Sequence, residues 1–156
     1  MKQHKIANWL KGIVVFLAVL GTLFVIGVTI YAFKSQESHP ISSIIGFPLF
    51  TWYTITFCYG VLFHFWKVCR EIAKENSFCP ENATAFHKMS LFGIFLGIGF
   101  VAKICTILFL GDLNFVYGLF IVFEIVASIV FVVLCMALSK LILHAYEMKQ
   151  ENELTI

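Results

Sequence analysis

The stretch Met89–Leu138, MSLFGIFLGIGFVAKICTILFLGDLNFVYGLFIVFEIVASIVFVVLCMAL, decides the fold. It holds two apolar runs, 89–110 and 115–138, separated only by Gly111-Asp112-Leu113-Asn114. A helix rises about 1.5 Å per residue, so each run is long enough for a hydrocarbon core of about 30 Å. So short a link joins only antiparallel neighbours. The reading predicts a tight transmembrane hairpin.

Two further apolar runs precede it. Gly12–Phe33, GIVVFLAVLGTLFVIGVTIYAF, carries no charge. It is longer than the apolar core of a cleaved signal peptide and ends in Tyr31-Ala32-Phe33-Lys34, so it reads as a retained anchor. The other run covers about Phe47–Val68. Pro48 suits the first turn of a helix, where its missing N–H costs nothing. Trp52 and Tyr53 near one end and Trp66 near the other fit aromatic belts at the two faces of a bilayer. The expectation is an all-α integral membrane protein, a four-transmembrane-helix bundle forming a single membrane domain over 1–156. Its helices are expected at about 12–33, 47–68, 89–110 and 115–138, with a cytoplasmic loop 69–88 and a cytoplasmic tail 139–156. The second helix is expected to continue into water through Lys67–Glu75.

Composition agrees with a bilayer as the solvent. Of 156 residues, 60% are hydrophobic and 13% charged; soluble chains carry about 25% charged residues. A soluble fold this small has no interior large enough for that much apolar surface. The net charge of +2 is too small for a nucleic-acid surface, so no direct nucleic-acid contact is expected.

Orientation follows from Lys and Arg in the short loops. Lys2, Lys5, Lys11, Lys67, Arg70, Lys74, Lys88, Lys140 and Lys149 fall on one side, nine residues against Lys34 alone on the other. Both termini and the middle loop are therefore expected in the cytoplasm. No loop is long enough for a catalytic domain.

The five cysteines, Cys58, Cys69, Cys79, Cys105 and Cys135, form no CxxC pair and no zinc-like Cys-His spacing. No metal, no cofactor and no thiol exchange chemistry is expected. No nucleophile–base constellation marks an enzyme.

Lys103 and Glu124 stand out because each interrupts an apolar run. A charge at membrane depth costs about 2.5–3.5 kcal/mol or more unless compensated. Counted from the hairpin turn, their depths differ by about 4–5 Å, a gap that a Lys side chain spans. The pair reads either as a structural ion pair locking the hairpin or as part of a proton or ion relay. Polar residues at helical spacing suggest a polar bundle interior: Tyr53, Thr56, Gly60 and His64 on segment two, Gly99, Lys103 and Thr106 on segment three, and Tyr117, Glu124 and Ser128 on segment four. Ordinary interhelical hydrogen bonds are the commoner use of such residues. His64, one turn from the inner boundary, reads most simply as interfacial. Gly93 and Gly97 form a GxxxG pattern for close helix packing, within the chain or in a homo-oligomer. Ile6, Trp9, Leu10 and Ile13 with the nearby lysines read as an interfacial helix.

In the middle loop, Cys79-Pro80-Glu81-Asn82 looks like a helix start. The loop is close to neutral and suits a protein partner better than DNA. Glu147–Ile156, EMKQENELTI, reads by composition as a frayed end.

Two stretches resemble a known family. Glu151-Asn152-Glu153-Leu154-Thr155-Ile156 resembles the closing Glu-Asn-Asp/Glu-Leu-Thr-Ile/Val motif of small bacterial four-span membrane proteins of the YoaS-like family. Asn76-Ser77-Phe78-Cys79-Pro80-Glu81-Asn82 resembles that family's Asn-Pro-Phe-Ser-x-x-Asn start of its third helix, with Ser77 and Cys79 departing from the usual Pro and Ser. The resemblance implies a bacterial cytoplasmic membrane and no established catalytic activity. It implies a partner as well, since such genes often lie beside one for a small helix-turn-helix DNA-binding protein. The functional expectation is a membrane-embedded regulator that binds or sequesters such a protein. Docking would use Phe78, Asn82, Glu151, Asn152, Leu154 and Ile156. The alternative is a small transporter or immunity-type protein using Lys103 and Glu124.

Overall fold

A computed structural model describes residues 2–34, 41–110 and 115–154, with side chains described over 5–31, 34, 49–109, 115 and 118–152. These residues form four helices: α1 (Lys2–Lys34), α2 (Ile41–Ala73), α3 (Pro80–Leu110) and α4 (Phe115–Leu154). The hairpin turn 111–114 lies outside the described residues.

The helices overrun the apolar runs, because helix propensity does not stop where hydrophobicity does. The segment Leu138–Leu154 contains no Gly or Pro and is rich in Leu, Lys, Ala, Glu, Met and Gln, which lose little on entering a helix. Hence α4 continues to Leu154 where composition suggested fraying. Likewise α2 continues to Ala73, and α3 already begins at Pro80.

Three helices are long and apolar enough to cross a membrane, over Lys5–Tyr31, Pro80–Phe109 and Gly118–Asn152. Among the described residues α2 does not qualify. Thr51, Trp52, Tyr53, Thr54, Thr56, Tyr59 and His64 lower its mean hydropathy. Their polar atoms mostly meet neighbouring backbone.

Packing is serial. α1 meets α2, α2 meets α3 and α3 meets α4, and among the described residues no other pair of helices brings its backbones into close approach. The helices therefore make an open row of four, in which the polar stripes do not converge on one interior. A soluble four-helix protein must close to hide its apolar faces. Here those faces stay on the surface: Phe109 and Phe115 are 92% and 82% exposed. Lipid tails would cover them at no cost, which removes the drive to close.

Small residues set the row's spacing. A methyl group added to Gly93 would sit 2.8 Å from Val132 and 3.0 Å from Phe131, and one on Gly97 would sit 2.9 Å from the Ser128 hydroxyl. The two GxxxG glycines thus face α4 of the same chain, not a second copy. On the other side of α3, Gly99 lies directly against the Tyr53 ring.

Candidate functional site

The polar residues expected to share one interior are distributed over separate interfaces. Tyr53 donates its hydroxyl proton to the Phe95 carbonyl at 2.6 Å, bridging α2 and α3. Ser128 donates to the Gly93 carbonyl at 2.9 Å, bridging α4 and α3. Thr56 bonds within its own helix, to the Trp52 carbonyl at 2.8 Å. Tyr59 donates to the Ala18 carbonyl at 2.8 Å and is also hydrogen-bonded to Thr22, fastening α2 to α1. The His64 ring packs on Phe92 with centroids 5.6 Å apart. The side chain of Tyr117 lies outside the described residues. Most of these groups meet a carbonyl that helix geometry leaves accessible, and they work as interhelical or intrahelical ties.

Lys103 and Glu124 face each other across the α3–α4 interface, with Nζ 3.7 Å from Oε2. That is an ion contact and too long for a hydrogen bond. Glu124 Oε2 is buried and makes no hydrogen bond. The ammonium group also lies 4.4 Å from the Phe50 ring centroid, so α2 contributes a cation–π contact. The Lys103 side chain is 14% exposed and that of Glu124 is 41% exposed. Glu124 is the more exposed side chain of the pair, although its Oε2 is buried. Thr106, one turn from Lys103, donates to the Ala102 carbonyl at 2.9 Å, and its proton is therefore committed to its own helix.

At the other end of these helices, α2 turns into α3 through a short, tightly bonded link. The Lys74, Glu75 and Asn76 amides donate to the Glu71 and Ile72 carbonyls at 3.0–3.2 Å. Glu75 adopts the left-handed conformation, with φ of 61°, that commonly ends a helix. The Cys79 carbonyl accepts the Asn82 and Ala83 amides at 3.1 and 3.2 Å, making Cys79 the cap of α3. Pro80 follows in the position where proline is favoured, and Glu81 adds an acid to the first turn.

Asn82 closes the link. Its amide donates to the Ser77 carbonyl at 2.9 Å and the Asn76 carbonyl at 3.4 Å, and the residue is 1% exposed. Asn82 was expected on a docking surface, but it is turned inward. α4 approaches over Ala83, which is buried, and Ser139 donates to the Ala83 carbonyl at 2.7 Å. Burial pushes the Cys79 thiol above its ordinary range, although the Asn82 amide hydrogen bond pulls the other way. A neutral buried thiol is a poor nucleophile. Phe78, by contrast, is 58% exposed.

The Ser139–Ala83 contact also sets the register of the two helices. Pro80 is level with about residue 142, so α4 extends about a dozen residues beyond the start of α3, roughly 18 Å. Glu147, Met148, Lys149, Gln150, Glu151 and Asn152 are all exposed on this projection. The side chain of Leu154, and Ile156 altogether, lie outside the described residues. Among the described residues no three metal-ligating side chains converge.

The chain belongs to a family whose description is "Protein of unknown function (DUF2975)", which matches residues 47–156. The match starts inside α2, so α1 lies outside it. Comparison with curated proteins and with solved structures gave no match.

Proposed function

We propose that this chain is a four-span regulator of the bacterial cytoplasmic membrane, with both ends inside, that docks and withholds a small helix-turn-helix DNA-binding protein. The observation that carries the reading is the projection of α4. A helix that leaves the apolar zone and continues to Leu154 past the start of α3 offers a rigid, exposed polar rod beside the α2–α3 link. The outer connections are too short for a docking surface of about 800 Å². The basic residues fall nine to one on the side of the projection, which favours the cytoplasm. The resemblance of Asn76–Asn82 and Glu151–Ile156 to the YoaS-like family makes a helix-turn-helix regulator the best candidate partner. Holding such a regulator at the membrane would lower its free concentration for operators by mass action.

Co-purification from detergent with the product of the neighbouring regulator gene tests the proposal. Deleting Glu151–Ile156, or changing Phe78→Ala, should release the partner and leave the helices inserted. If the regulator never co-purifies with the intact chain, the sequestration reading fails. The buried Glu124 oxygen without a hydrogen bond favours one second reading, a small transporter or immunity-type protein built on Lys103 and Glu124. That reading gains if Glu124→Gln abolishes a measured ion flux and leaves stability intact.

A further inference from the structure

At the inner end of the α2–α3 interface, two lysines stand over an aromatic floor. Lys67 and Lys88 are both exposed, and the antiparallel register that sets Gly60 against Phe92 and Tyr53 against Phe95 brings Lys88 level with His64, within a turn of Lys67. One turn deeper on each helix sit Phe63 and Phe92. The His64 ring lies between them, with centroids 5.7 Å from Phe63 and 5.6 Å from Phe92. Lys67 Nζ rests 4.6 Å from the Phe63 centroid, which leaves its N–H groups free to point outward. The floor is held from below: a methyl group on Gly60 would come within 2.6 Å of the Phe92 ring, so Phe92 packs directly on the α2 backbone. The next acid along α2, Glu71, is engaged by Lys74 at 2.8 Å and does not neutralise the lysines.

We infer that Lys67, Lys88 and the Phe63–His64–Phe92 floor form a binding site for the phosphodiester of an anionic phospholipid. The chemistry is that of an amphiphile. Two cations at the boundary meet the phosphate, and exposed aromatic surface immediately deeper meets the glycerol and the first part of the acyl chains. Phe63 is 61% exposed, an apolar face in contact with whatever occupies that depth. Basic clusters between helices on the cytoplasmic side attract anionic headgroups, each lysine contributing about a fivefold gain in affinity. The inference rests on the membrane-spanning reading and is independent of the regulator.

The test is native mass spectrometry of the full chain in mild detergent, titrated with dioleoyl-phosphatidylglycerol or dioleoyl-phosphatidylcholine. Phosphatidylglycerol should bind in preference. Lys67→Gln and Lys88→Gln should each weaken it about fivefold, and the pair about 25-fold. Lys34→Gln and Lys140→Gln should change nothing. Phe92→Ala should weaken retention with no change of charge, and the Lys67→Arg/Lys88→Arg chain should keep it. That Arg pair and the single Gln changes decide the matter if the double Gln chain does not fold. Glycerophosphoglycerol and inorganic phosphate, which lack acyl chains, should fail to compete; competition by either at equal concentration makes this a free-phosphate site and overturns the lipid assignment. Equal binding of the two lipids, or no loss with Lys67→Gln and Lys88→Gln, also overturns it. No regulator takes part in the measurement, so failure of the docking reading leaves this result standing.

Discussion

At the scale of single residues, Lys103 and Glu124 constrain each other. Removing one leaves the other charged at membrane depth, and removing both leaves neither. In detergent unfolding, Lys103→Met and Glu124→Gln should each destabilise more than the double change, with a coupling of about 0.5–3 kcal/mol. Strictly additive losses would mean the contact at 3.7 Å carries no energy. Asn82 is the second residue to test. Replacing it with Ala strips the Ser77 carbonyl of its buried donor and should cost about 1–3 kcal/mol, read as a lower melting temperature; an unchanged melting temperature would show that the link does not depend on it. Any release of partner by Asn82→Ala would then be an effect on loop shape, since the side chain is buried. For Cys79, burial stabilises the neutral thiol in the folded chain. The raised value means that the stabilising contribution is complete below the ordinary pKa of 9.0 and is lost as pH rises above it. Maleimide should label Cys79 much more slowly in the folded chain than in the denatured one, and equal rates would contradict its burial. Asn82 shows where sequence reading stops. The helix start at Cys79-Pro80 is written locally, but the inward turn of Asn82 depends on the link folding back so that the Asn76 and Ser77 carbonyls meet its side chain, which no local pattern encodes.

At the scale of elements, the α3–α4 pair is the most extensive seam. Gly93 and Gly97 leave no room for a side chain against Phe131, Val132 and Ser128. Gly93→Leu should overpack the seam and cost about 1–3 kcal/mol without altering oligomeric state. A change of oligomeric state at unchanged stability would instead mark a contact between copies. The glycine pair was visible in the sequence, but its partner was not: a GxxxG motif specifies close approach and says nothing about which helix approaches. The same holds for the polar stripes. Periodicity puts Tyr53 and His64 on one face of α2, and only the structure shows Tyr53 tied to Phe95 and His64 resting on Phe92. The far end of α4 is helical to Leu154 although its polar composition suggests fraying, because residues with high helix propensity are also polar. Amide exchange should find residues 143–150 protected as helix, and exchange at random-coil rates would contradict a rigid projection.

At the scale of the whole molecule, the open row has a physical cause that also kept it out of reach of the sequence. In a soluble protein, the polar side of each helix points to water, and the pattern tells inside from outside. In a bilayer, lipid-facing and helix-facing positions are both apolar, so hydrophobicity cannot say which helices touch. The sequence does carry the apolar runs, the short link between the last two, and the uneven distribution of lysines. The proposed regulator and lipid site both depend on where those lysines lie. The central claim is that the α2–α3 link and the α4 projection face the cytoplasm. Paired reporter fusions, one active only outside and one only inside, test it most directly. Fusions at Met1, Pro80 and Ile156 should report inside, and fusions at Ser38 and Asp112 outside; an external Ile156 would contradict the account.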